Sequence, residues 1–282
     1  MIISIGEVVW DIFPEREVLG GAPLNVAYHL RCLGCGAGVI TRVGDDELGG
    51  RTIAAMADLK VPVDGVQRGR LPTGAVRVTI GADNEPRFEI VTPAAWDNID
   101  PDEAENYIGS RSFKLVFGTL AQRDERSRRA IRELWRKADY RCYDVNLRPP
   151  HTPRQIVEES LAAAELVKMN GAELEEIGCW RNLSSLDRKG IARELMDLYN
   201  IAVLVVTEGA EGAWLIAGGD YYRTPGRPVK VADTVGAGDA FFAALLTARE
   251  QGLGWQEALD RAAELGAYVA SRYGATPPMP VS

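Results

Sequence analysis

The chain has few of the residues that build metal and redox centres. Its 282 residues include two histidines and four cysteines, and only Cys32 and Cys35 stand at the C-x-x-C spacing of a zinc or redox pair. No second pair answers them. The preceding segment, Asn25-Val26-Ala27-Tyr28-His29-Leu30, has the character of a buried helix, so the spacing reads as structural. A basic excess is also lacking. A net charge of −8 offers nothing to neutralise a phosphate backbone or an anionic bilayer, which argues against nucleic acid and membrane and leaves a small molecule as the expected partner. No apolar run approaches membrane-spanning length, and Met1-Ile2-Ile3-Ser4-Ile5-Gly6 has no basic leader, so a cytoplasmic location is expected. Two common phosphate-binding motifs are missing as well. No G-x-G-x-x-G follows the first apolar segment, which excludes a nicotinamide dehydrogenase, and no G-x-x-x-x-G-K-[ST] loop occurs anywhere, so any phosphate must be held by another device.

What is present is an ordinary globular composition, 46% hydrophobic and 26% charged, of a length suited to one α/β domain spanning residues 1–282. Short apolar segments predict strands at Ile2–Ile5, Gly38–Val43, Leu115–Gly118, Arg141–Val145, Leu166–Met169 and Val203–Thr207. Between them, helical spacing of apolar residues predicts helices over 22–33, 47–59, 124–137, 154–163 and 184–199. Such alternation builds a doubly wound, mostly parallel sheet covered by helices on both faces. Residues 73–92 break the alternation: Ala75 to Ile80 and Arg87 to Val91 read as two strands joined by a turn at Gly81-Ala82-Asp83-Asn84. Together with about 8–18 they predict a small separate β-sheet acting as a lid, with edge strands of the main sheet as the alternative. The Pro277-Pro278-Met279-Pro280 tail reads as an irregular terminus.

The densest signal is Asp233-Thr234-Val235-Gly236-Ala237-Gly238-Asp239, followed by the helix-forming run Ala243 to Glu250. Glycines leading straight into a helix let an anion approach the unpaired N–H groups and partial positive charge of its first turn. Gly236, Ala237 and Gly238 would form that anion hole, and Asp239 would stand where a carboxylate can take the proton of an attacking hydroxyl. Read in isolation, the same residues also make a helix cap.

This segment resembles the C-terminal signature of the ribokinase-like (PfkB) carbohydrate kinases. A second signature of that family is matched by Gly20-Gly21-Ala22-Pro23-Leu24-Asn25-Val26-Ala27, followed by Gly44-Asp45-Asp46-Glu47-Leu48-Gly49. Asn170-Gly171-Ala172-Glu173 resembles its N-x-x-E element, and Thr207-Glu208-Gly209-Ala210-Glu211-Gly212 its nucleotide-binding turn, so the likeness spans the whole chain. The resemblance implies a ribokinase-like sheet with a β lid, and transfer of the ATP γ-phosphate to a sugar hydroxyl. It implies Asp239 as general base and the 236–238 turn as anion hole. Asn170 and Glu173 would organise Mg²⁺ through its waters. Thr207, Gly209, Gly212 and Gly238 would line ATP, with Ala267, Ala270 and Gly274 against the adenine. Asp233, Val235 and Gly274 would form a potassium site, and the lid sheets would pair two subunits into a homodimer.

On the acceptor side the resemblance places sugar hydroxyls against Asp11, Gly20, Gly21 and Asn25. Residues 19–29, the segment Phe117 to Arg123 and the segment Asp144 to Pro150 look most like fructokinases, so D-fructose, phosphorylated to fructose 6-phosphate, is the expected acceptor. Arg148 reaching a substrate carboxylate would instead favour 2-keto-3-deoxygluconate. Ribose and nucleosides are the other acceptors the family implies, and residues between Arg68 and Gly74 depart from it by lacking obvious sugar-contacting groups. A non-catalytic sugar or nucleotide sensor on the same fold is the reading from a different class.

Overall fold

A computed structural model of the chain describes residues 1–80 and 86–279. The Gly81-Ala82-Asp83-Asn84 turn lies outside the described residues.

The nine-stranded main sheet runs β13-β12-β11-β10-β9-β8-β1-β4-β5. Its parallel core comprises β1 (Ile2–Ile5), β4 (Ala37–Gly44), β5 (Val66–Gly69), β8 (Lys114–Gly118), β9 (Tyr140–Asp144), β10 (Leu166–Asn170) and β11 (Val203–Thr207). An antiparallel hairpin, β12 (Ala213–Ala217) and β13 (Asp220–Thr224), extends one edge. Strand order reverses around β1: the chain first adds β4 and β5 on one side, then returns to add β8 and its successors on the other. Open sheets of this kind leave a crevice at the carboxyl ends of the strands at such a point, where ligands bind.

Both faces are apolar because successive strand residues point to opposite sides. Ile3, Ile5, Leu115, Phe117, Val167 and Met169 bury into one core, beneath α3 (Pro101–Ile108), α4 (Glu125–Trp135), α5 (Arg154–Ala163), α6 (Gly171–Trp180) and α7 (Arg188–Tyr199). Ile2, Val116, Leu166, Val203 and Val205 bury into the other, beneath α1 (Ala22–Cys32), α8 (Ala237–Glu250) and α9 (Trp255–Ala270). Met56 of α2 (Glu47–Asp58) joins Val8, Leu24 and Val39 in a third cluster. Burying a side chain such as Phe242 or Leu245, both inaccessible, contributes about 1.5–3 kcal/mol each.

The stretches expected outside the main layer form a sheet of their own, ordered β3-β2-β6-β7. Its strands are β2 (Val9–Ile12), β3 (Glu17–Gly20), β6 (Ala75–Ile80) and β7 (Pro86–Ile90). It continues to Gly20, two residues past the expected limit, because Val9 pairs with Gly20 in the β2–β3 ladder. Its first strand leaves the main sheet through Glu7 and Val8, and its second returns directly into α1.

The helix expected over 184–199 starts at Arg188. The Asp187 side chain accepts the Gly190 N–H and sets that start, leaving the residues before it as turns. The Pro-rich tail is irregular but anchored: Tyr28 and Tyr268 donate their hydroxyls to the carbonyls of Pro277 and Pro278. No helix among the described residues is long and apolar enough to cross a membrane.

Candidate active site

Helix α8 opens at Gly236, which has φ +77° and provides no side-chain cap. A side chain is excluded there twice over. The backbone is left-handed, and an added methyl would stand 2.5 Å from the Ala275 Cβ. Ala275 is itself held by α1, where the buried His29 meets its carbonyl oxygen through Nε2 at 2.9 Å. Burial pushes the His29 pKa down to about 4, so the neutral ring donates Nε2–H to that carbonyl. Of the three amides expected to form an anion hole, at Gly236, Ala237 and Gly238, one already has a partner. Ala237 N–H is directed at the Thr234 carbonyl, at 3.3 Å, while the N–H groups of Gly236, Gly238 and Asp239 meet no acceptor among the described residues. A helix start leaves such donors open because no preceding turn exists to receive them.

Asp239 is the third residue of α8, and its carboxyl meets α1. Asn25, from α1, donates its Nδ2–H to Asp239 Oδ2 at 2.8 Å. The carboxyl is enclosed by protein although the residue as a whole keeps some exposure, and this loss of water pushes its pKa up to about 6. Asp144 pushes in the same direction, while Lys168, the Asn25 hydrogen bond and Arg148 oppose it. A carboxylate in that range is ionised at neutral pH yet basic enough to accept a proton.

Asp11, on β2, lies beside Gly20, where an added methyl would sit 3.7 Å from Asp11 Oδ2. Burial raises the Asp11 pKa, Asp233 raises it further and Arg148 lowers it. Gly21 admits no side chain, since a methyl would fall 2.4 Å from the Glu7 carbonyl oxygen. Gly20 thus lies against Asp11, Asn25 against Asp239, and the Arg148 charge acts on both carboxyls. Arg148 is exposed; it donates to the Leu147 carbonyl at 3.0 Å, and its charge bears on Glu7, Asp11 and Asp239 together.

Asn170 and Glu173 form a reciprocal cap at the start of α6. Asn170 Oδ1 accepts the Glu173 N–H at 2.9 Å, and Glu173 Oε2 accepts the Asn170 N–H at 2.8 Å. The other Glu173 oxygen accepts the Leu147 N–H at 2.8 Å. Each carboxylate oxygen therefore has one lone pair in use, and the set suits a cation kept at one water's remove better than direct ligation. Thr207 lies opposite Asn170 in the β10–β11 ladder, and Gly209 and Gly212 bound the turn that follows. Asp233 accepts the N–H groups of Val235 and Gly274, at 3.0 and 3.2 Å, which brings those three residues into one loop cluster. The Ala270 carbonyl receives the N–H groups of Ala232 and Asp233, joining the end of α9 to it. Ala267 lies one turn earlier on the same helix.

The description "pfkB family carbohydrate kinase" matches residues 7–282. The chain belongs to that family. A fructokinase of Klebsiella pneumoniae is 32% identical over 260 residues, covering 86% of this chain and 82% of the relative. An aminoimidazole riboside kinase of Salmonella typhimurium is 29% identical over 298 residues, covering 98% and 91%. Among solved structures, the fructokinase of Xylella fastidiosa with bound ATP superposes with a TM-score of 0.86 at 23% identity, over 98% of this chain and 93% of that one. Family membership makes the chain an ATP-dependent sugar kinase, a phosphotransferase acting on a sugar hydroxyl.

Three charged residues beside the candidate site were not legible from sequence. Lys168 and Asp144 form a buried ion pair, with Nζ 2.9 and 2.8 Å from the two carboxylate oxygens. Glu7 is 5% exposed, and its Oε2 has no partner among the described residues. Burial raises its pKa to about 7; Arg148 opposes that rise, whereas Asp239 and Asp144 add to it. The available signal was a lysine inside the apolar strand Leu166–Asn170, which demands a counter-charge. Cys32 is exposed, and the half-buried Cys35 donates its thiol to the Thr247 hydroxyl at 3.4 Å; both are free.

Proposed function

We propose that the chain transfers the ATP γ-phosphate to D-fructose, at the 6-hydroxyl. The observation that carries the reading is the Asn25–Asp239 hydrogen bond, which ties the acceptor wall to a carboxylate standing in the open first turn of α8. In this reading Asp11 and Asn25 orient the sugar hydroxyls, and Asp239 takes the proton of the attacking one as its oxygen bonds to the γ-phosphorus in line with the departing ADP oxygen. The free amides at 236, 238 and 239 receive the charge that builds on the transferring group. Thr207, Gly209 and Gly212 border the phosphates and ribose, and Ala267, Ala270 and Gly274 the adenine. Mg²⁺, held through water by Asn170 and Glu173, neutralises phosphate charge when bound. Asp233, Val235 and Gly274 would hold a potassium ion. The small sheet closes over the acceptor as a lid and pairs two subunits.

The Klebsiella fructokinase at 32% identity supports fructose. The second reading is a riboside acceptor, favoured by the aminoimidazole riboside kinase that matches 98% of this chain. An ADP-release assay over fructose, ribose, glucose, 2-keto-3-deoxygluconate and nucleosides including aminoimidazole riboside decides between them. Fructose is expected to give the highest kcat/KM; a riboside tenfold above it would replace the assignment.

A further inference from the structure

The Lys168–Asp144 pair is poorly explained as a stabilising contact. Lys168 is 7% and Asp144 4% exposed, and removing two charges from water costs enough that an apolar pair in the same space is often as stable. Its placement is more specific than its stability. Lys168 and Asp144 face each other in the β9–β10 ladder, at the strand ends below α8. The ammonium has three N–H groups, and Asp144 takes two. Its side toward the anion turn is left uncovered by glycine, since a methyl on Gly238 would stand 3.3 Å from Nζ.

We propose that this pair is an electrostatic counterweight beneath the anion turn, in which Lys168 attracts and Asp144 repels the charge on Asp239. Lys168 and Asp144 are positioning residues: they set how much of Asp239 is a carboxylate when the sugar arrives. The other polar and charged groups facing Asp239 are Asn25 from α1, Glu7 after β1 and Arg148 after β9. They bear on it from the acceptor side, so the pair supplies the balance from the floor. The inference rests on Asp239 being the base, and the two readings fail differently.

The test compares Lys168→Met, Asp144→Asn and the double variant by the pH dependence of kcat/KM and by 13C NMR titration of Asp239 in the substrate-free enzyme. Lys168→Met removes attraction and moves the Asp239 titration and the acid limb up by about one pH unit, a roughly tenfold loss of kcat/KM below the limb. Asp144→Asn moves both down. The double variant buries no lone charge and returns both toward wild type, so it reports even where Lys168→Met fails to fold. A titration that stays at the wild-type position in Asp144→Asn, a double variant that does not move back up from the Asp144→Asn position, or shifts of one sign in both single variants overturns the counterweight. Near-wild-type turnover in Asp239→Asn would instead remove the base, whatever the pair does.

Discussion

The starts of α6 and α8 are built in opposite ways a short distance apart. At α6, Asn170 and Glu173 each satisfy the other's backbone N–H, and Glu173 spends its second oxygen on Leu147. At α8 the corresponding first position is Gly236, with no side chain to give, and the acidic residue three places on turns to Asn25 instead of back to the backbone. The sequences alone look alike, a small polar or glycine start followed three residues later by an acid. One start is closed by its own side chains; the other leaves its donors open and its carboxylate unbonded to the backbone. A capped helix end is stable and inert, whereas an uncapped one retains an electrostatic demand that an anion can meet.

Breaking the open start should have the largest effect. Asp239→Asn keeps the Asn25 neighbour but cannot accept a proton, so turnover is expected to fall about 100-fold or more while ATP binding persists; steady-state rates and nucleotide calorimetry check both halves. Wild-type kcat/KM should also fall below an acid limb near pH 6, where Asp239 takes up its proton. Closing the start sterically comes next. Gly236→Ala places a side chain at φ +77° against Ala275, and is expected to cost about 2–3 kcal/mol in chemical denaturation and to raise the KM for ATP.

Charge burial behind the open start gives a pH test. Burial pushes the Glu7 pKa up to about 7 in the folded chain, from the 4.5 of a solvated glutamate. The stability contributed by its protonated form is therefore complete below pH 4.5 and is lost as pH rises through about 7. Glu7→Gln removes that loss, so it should gain on the order of 2 kcal/mol over wild type at pH 8 and almost nothing at pH 4. Equal gains at both pH values would show that Glu7 is not buried as a neutral acid.

The smallest effect is expected at the closed start. Asn170→Ala deletes one half of the reciprocal cap and should lower stability by about 1 kcal/mol. With Asn170 also holding metal waters, the Mg²⁺ concentration for half-maximal activity should rise severalfold. Lost stability with an unchanged Mg²⁺ requirement would assign that start to scaffolding alone.

Much of the fold was legible because a buried parallel strand has to be a short apolar run. Val203–Thr207 and Arg154–Ala163 match their expected limits residue for residue. The β12–β13 hairpin was less legible despite its Gly218-Gly219 turn, both residues at positive φ, because Ala213–Ala217 is a short apolar run and Asp220–Thr224 a polar edge strand with no clear period. The short α3 carries too few apolar positions to show a period, although Asp100 caps it with two N–H contacts. Asp239, Asn25, Asp11 and the glycine turns could be named as candidates because their chemistry is concentrated in short motifs. Glu7, Asp144 and Lys168 were not, because each is a lone charge inside apolar surroundings.

Local chain chemistry alone determined which segments are strands, which helix begins with glycine instead of a cap, and which carboxylate stands in its first turn; these depend on neighbours a few residues away. Only the tertiary structure decided that Asn25 would meet Asp239, 214 positions later, and that Lys168 would be answered by Asp144 across a strand ladder. A buried charge has no preferred partner in sequence. Its partner is chosen by sheet order and register, which bring distant residues within hydrogen-bonding distance where water no longer screens them.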